Sequence, residues 1–135
     1  DTSMSYISQD VYLFNASIKE NIVLGGEFSG TDISNALFKS SLQTDIENFK
    51  DGIDTIVGEN GANISGGEKQ RIAIARSLIN GKDTILIDEG TSALDRENRA
   101  AIEENLLKSE NLTIIMVSHN LDENTRKLFD EIYEI

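Results

Sequence analysis

The chain has 135 residues, 39% hydrophobic and 27% charged, a composition that suits one compact globular domain with a core of its own. Its 24 acids against 12 bases leave a formal charge of −12, so the surface repels DNA, RNA and anionic lipid, and any polyanionic ligand must meet local positive charge. The absence of cysteine excludes disulfides and thiolate zinc sites, and no apolar run approaches the roughly 18 residues that a membrane-spanning helix needs.

Residues 4–8 read as a strand and residues 9–15 as a loop, without repeats or low complexity. Residues 19–24 read as a short helix. Gly25-Gly26 and Gly30 mark a turn, after which Thr31 or Asp32 caps a helix reaching Leu42 and carrying Ile33, Ala36, Leu37 and Leu42. A second short helix is expected over 45–49. Asp51-Gly52 and the stretch from Gly58 to Gly61 then punctuate the approach to a longer helix.

That helix opens at Asn63-Ile64-Ser65-Gly66-Gly67-Glu68-Lys69-Gln70-Arg71, where Ser65 and Glu68 have the spacing of a capping box. Ile72, Ala75 and Ile79 recur on one face, with Ala73, Ile74 and Leu78 widening the stripe, so that Arg71 and Lys82 are expected in solvent and Gly81 is a stop. A capped core helix explains Ser65 and Glu68 but not the two glycines, which cost helix propensity of up to about 1 kcal/mol each. A bare backbone at a helix N-terminus lets an anion approach the free N–H groups and the positive end of the dipole.

Beyond it, strands and helices alternate: strand 84–88, helix 97–108, strand 113–118, helix 122–128 and strand 131–135, a pattern of parallel α/β architecture. Thr84-Ile85-Leu86-Ile87-Asp88-Glu89 is a buried-strand pattern delivering two carboxylates to a strand's carboxyl end, where open α/β sheets hold their ligands.

Taken in order, these segments resemble the nucleotide-binding domain of an ATP-binding cassette (ABC) transporter of the exporter type. Ile64-Ser65-Gly66-Gly67-Glu68 resembles the family's signature motif with Glu for the usual Gln, and residues 84–89 resemble Walker B. Ser92-Ala93-Leu94-Asp95 resembles the D-loop. His119, the only histidine, comes after the apolar run of residues 113–118 as the family's switch histidine does. Tyr6-Ile7-Ser8-Gln9-Asp10 resembles the Q-loop, Leu13-Phe14 and Glu20-Asn21-Ile22 resemble the segment C-terminal to that loop in exporters, and Thr55-Ile56-Val57-Gly58-Glu59 resembles the exporter X-loop. No G-x-x-x-x-G-K-[ST] phosphate loop occurs in the chain; the only Gly-Lys pair, Gly81-Lys82, is succeeded by Asp83.

The resemblance implies a partial P-loop NTPase-type parallel sheet, residues 1–9 and 81–135, with an inserted helical subdomain over 10–80 ending in the signature. It further implies an internal piece of a longer transporter, bound to ATP and Mg²⁺ in the assembled protein and inactive alone. By resemblance Asp88 holds Mg²⁺, Glu89 is the general base for the attacking water, Gln9 reaches the metal or that water, and His119 hydrogen-bonds the γ-phosphate. Ser65, Gly66, Gly67 and Glu68 form the signature surface for nucleotide held by a second domain in a head-to-tail dimer, and Asp95 reaches the partner's site. Gly90, where exporters more often carry Ala, adds backbone freedom beside Glu89. The implied partners are that second domain and a transmembrane domain of the same transporter, which puts the chain on the cytoplasmic side of the cell membrane. Two other ABC ATPases share these motifs. A DNA-maintenance ATPase would separate the halves by a coiled coil, which the 56 positions from Gln9 to Ser65 lack, while a ribosome-associated one often has the acid seen at Glu68. A degenerate partner domain supplying only a signature surface is the non-enzymatic alternative.

Overall fold

Short apolar runs separated by long connections give three strands, β1 (Met4–Ile7), β2 (Thr84–Ile87) and β3 (Thr113–Met116). The structure is a computed structural model that describes residues 4–7, 11–87, 112–116 and 130–131. The strands pair in parallel in the order β1-β2-β3, with Met4 opposite Thr84 and Thr84 opposite Thr113. The same register aligns Ile7, Ile87 and Met116, so all three strands deliver the chain to one edge of the sheet.

Parallel neighbours need a crossover, and the one from β1 to β2 carries every described helix: α1 (Ile18–Val23), α2 (Gly30–Lys39), α3 (Gln43–Asn48) and α4 (Gly66–Ile79). Short 3₁₀ turns at Gly52–Asp54 and Glu59–Gly61 link α3 to α4. Helix α4 is the element on which the rest is built. Eight of its fourteen residues are buried, the mark of a helix enclosed on several sides. Ala73 and Ile74 pack with Ile7 and Ile85 against the sheet, while Ile72 and Ala75 pack with Leu13, Ile18, Ile22, Leu37, Leu42 and Val57 in a second core. The sheet and the helical crossover are therefore held by two faces of one helix.

Several boundaries differ from the sequence pattern. Helix α2 starts on Ser29, whose hydroxyl accepts from the Asp32 N–H at 3.1 Å while the Asp32 carboxylate accepts from the Ser29 N–H at 3.4 Å, so Asp32 closes the cap from its third position rather than being the cap. The helix stops at Lys39 because Ser41 turns left-handed, and Leu42 then opens α3, which begins two residues before the expected position. Helix α1 begins on a capping box between Ser17 and Glu20. Arg71, expected in solvent, is 3% exposed, because Asp45 on α3 meets it within the core. The expected elements at 97–108, 122–128 and 131–135 lie outside the described residues, apart from Glu131.

Candidate functional site

The N-terminus of α4 is a capped turn with spare donors. Ser65 is extended (φ −74°, ψ 163°), which lets its hydroxyl accept from the Glu68 N–H at 3.1 Å. Glu68 reaches back to accept from the Ser65 N–H at 2.8 Å, and the first intrahelical bond runs from the Lys69 N–H to the Ser65 carbonyl. The N–H groups of Gly66 and Gly67, which precede that bond, have no hydrogen-bond partner among the described residues. Ser65 and Gly66 are exposed and Gly67 is buried, so the turn presents one hydroxyl and free backbone donors at a positive dipole end. The spacing of Ser65 and Glu68 thus forms the capping box it predicts, with the acid drawn onto the Ser65 backbone. A phosphate oxygen is chemically suited to such donors.

Buried charge fixes this helix in place. Arg71 grips Asp45 through two parallel bonds, Nε to Oδ2 at 2.7 Å and Nη2 to Oδ1 at 3.1 Å. Further along, Arg76 donates from Nε to the Asn21 carbonyl at 2.8 Å, from Nη2 to Asn21 Oδ1 at 3.3 Å and from Nη1 to the Tyr12 carbonyl at 3.3 Å. Burial lowers the Arg76 pKa below its ordinary value, yet a guanidinium stays charged at neutral pH. Asn21 is itself fully buried; Oδ1 accepts from the Phe14 N–H at 2.8 Å, and Nδ2 donates to the carbonyls of Phe14 and Ser17 at 3.0 Å each. Sequence pattern singles out neither arginine's partner, since each pairing spans tens of residues. Asn21 stands out in the sequence only through its exporter-like segment, Glu20-Asn21-Ile22.

This network orients a surface beside α1. Tyr12 and Phe14 are more than half and half exposed, with ring centroids 5.1 Å apart and edge to face. Ile56, also about half exposed, sits in an isolated antiparallel bridge with Ser17, with bonds from the Ile18 N–H to the Thr55 carbonyl and from the Val57 N–H to the Ala16 carbonyl, both 3.0 Å. The exporter-like segments 13–14 and 55–59 are thereby brought side by side.

Asp88 comes directly after the last residue of β2, Gln9 two residues after β1, and His119 three after β3. These residues, with Glu89 and Asp95, lie outside the described residues; the structure fixes the common edge at which their strands end. Among the described residues no group of three or more His, Cys, Asp or Glu is arranged to hold a metal.

Compared with known proteins, residues 1–92 match the sequence model of the ABC transporter family. The chain belongs to that family. It is 41% identical over 123 residues to an ATP-dependent lipid A-core flippase of Vibrio vulnificus strain YJ016, covering 89% of this chain and 21% of that protein. It is 44% identical over 123 residues to ABC transporter B family member 1 of Dictyostelium discoideum, covering 87% of this chain and 13% of that protein. A solved bacterial Atm1-family ABC exporter with ATP bound superposes with a TM-score of 0.77 at 35% identity, covering 87% of this chain and 21% of that one. The ABC transporter chain thus has the P-loop NTPase-type α/β fold of an exporter's nucleotide-binding domain, and spans about a fifth of the length of the first of these relatives and of the solved exporter. No described helix is long and apolar enough to cross a membrane.

Proposed function

We propose that the chain is the C-terminal portion of the ATP-hydrolysing domain of an ABC exporter, coupling ATP binding and hydrolysis to transport through a transmembrane domain of the same transporter. The observation that carries this reading is the turn at Ser65, Gly66 and Gly67, where two backbone N–H groups without a partner among the described residues stand beside a hydroxyl at a helix N-terminus and the nearby acid is tied back. Bound ATP and Mg²⁺ supply the triphosphate and a cation that neutralises its developing charge. The chain's own residues bind, orient and move protons. Ser65, Gly66 and Gly67 bind the γ-phosphate of nucleotide carried by a second, facing domain, with Glu68 holding the turn and Asp95 reaching the partner's site. Asp88 would hold the metal, Gln9 reaches the metal or the attacking water, Glu89 accepts that water's proton, and His119 hydrogen-bonds the γ-phosphate.

In this reading residues 10–80 are the helical subdomain, and residues 1–9 with 81–135 belong to the α/β core. The exposed Tyr12, Phe14 and Ile56 suit docking to the transmembrane domain from the cytoplasmic side. The 135 residues hydrolyse no ATP alone, since they contain no glycine-lysine phosphate loop. The exporter and flippase relatives favour transport over a DNA-maintenance or ribosome-associated role. The test is Glu89→Gln in the full-length protein: turnover is expected to vanish while nucleotide binding survives, and retained turnover overturns the assignment of the base.

A further inference from the structure

Gly61 lies in the loop that leads into α4, buried and at φ +75°. A Cβ added there would come 2.6 Å from Lys69 Cε, 3.3 Å from Lys69 Cδ and 3.2 Å from Leu13 Cδ1. Three segments therefore meet at one point: the loop at Gly61, the first turns of α4 through the Lys69 stem, and the segment carrying the exposed aromatic pair through Leu13. The left-handed φ itself favours glycine here, and the missing side chain leaves room for the Lys69 stem and the Leu13 methyl beside the loop.

The junction is anchored on each side. Leu13 is wholly buried between the exposed Tyr12 and Phe14, and its N–H donates to Asn60 Oδ1 at 3.3 Å. Asn60 (φ 49°) and Gly61 are consecutive left-handed residues, and the Gly61 N–H is held by the Gly58 carbonyl at 3.0 Å. Asn63 and Ile64 complete the loop by donating to the carbonyls of Val57 at 2.9 Å and Gly61 at 3.1 Å. On the helix side, the Lys69 N–H closes the turn on the Ser65 carbonyl. Displacement of Ser65 thus carries the Lys69 backbone with it.

We propose that Lys69 is a positioning residue whose aliphatic stem, lying with the Leu13 side chain beside Gly61, links the signature turn of α4 to the Tyr12, Phe14 and Ile56 surface. Its stem rather than its charge does this, as long basic side chains pack their methylenes while their heads stay wet. The inference rests on the reading of Ser65 to Gly67 as a nucleotide site.

The experiment is amide hydrogen exchange on the full-length protein, with and without Mg²⁺ and the non-hydrolysable analogue AMP-PNP. In the parent, nucleotide is expected to slow exchange both at residues 66–69 and at residues 11–18, the second effect by about fivefold or more, the lower end of ordinary coupling between sites. Lys69→Ala is expected to keep the protection at 66–69 and lose it at 11–18. Lys69→Met, which keeps an unbranched stem of similar reach, is expected to restore both. Protection at 11–18 that survives Lys69→Ala overturns the link while leaving the nucleotide reading intact, as does a Lys69→Met protein that behaves like the alanine variant. Absence of nucleotide protection at 66–69 in the parent overturns the nucleotide reading and the link with it.

Discussion

Asp45→Ala is the most informative perturbation of the scaffold behind the signature turn. Arg71 is 3% exposed and its partner 17%, with the two bonds at 2.7 and 3.1 Å, so removing the carboxylate leaves a buried guanidinium with no other acidic partner among the described residues. Breaking a buried pair from one side costs about 3–5 kcal/mol, because the stranded charge retains its desolvation cost. Against a domain stability of about 5–15 kcal/mol, that is a large fraction of the whole. Among the described residues Arg71 Nη1 has no hydrogen-bond partner, so there the guanidinium has no second contact to take over. Replacing both residues, Asp45→Leu with Arg71→Met, removes the buried charge and is expected to recover most of the loss. Urea denaturation of the parent, the single and the double variant, monitored by far-ultraviolet circular dichroism, measures the differences. A loss below about 1 kcal/mol in Asp45→Ala, the size typical of an exposed pair, would mean that Arg71 and Asp45 do not act as a buried pair.

The remaining expectations concern the turn itself. Ser65→Ala deletes the acceptor of the Glu68 N–H and is expected to cost about 1 kcal/mol of stability, seen as a lower melting temperature, and to depress ATP turnover in the full-length protein by more than that stability loss explains. Glu68→Gln keeps the capping box, so stability should stay within about 0.5 kcal/mol, while the loss of one negative charge several ångströms from a phosphate is worth about 1 kcal/mol. The KM for ATP should accordingly fall severalfold, and a rise would contradict the proposed use of this turn.

Local signals in the sequence lead to local structure. The apolar runs at 84–87 and 113–116 are strands starting where the pattern places them, and Ser65 with Glu68 caps α4 as their spacing requires. For α2 the composition offers Thr31 or Asp32 as the cap, whereas the reciprocal bonds put the cap at Ser29 with Asp32 at the third helical position. Arg71 misleads for a different reason. Its position beside the stripe of α4 reads as solvent, and the partner that buries it lies 26 residues earlier on a helix with no buried residue of its own. Likewise, the Arg76 bonds to Asn21 span 55 residues and the approach of Leu13 to Gly61 spans α1, α2 and α3, so both depend on tertiary proximity that no periodicity encodes. At the start of α4 the capping box of Ser65 and Glu68 is legible residue by residue. Of the acidic half, the described structure fixes the shared edge at which β1, β2 and β3 end, while Gln9, Asp88, Glu89, Asp95 and His119 lie outside the described residues.

In the proposed function the bare turn at Gly66 and Gly67 receives the terminal phosphate of a nucleotide. Photolabelling of the full-length protein with an ATP analogue carrying its reactive azide on the γ-phosphate, with peptide mapping of the product, tests it directly. Label on the peptide containing Ser65 to Lys69, abolished by excess ATP, is the expected result. Competed label elsewhere, with none on that peptide, would contradict the account.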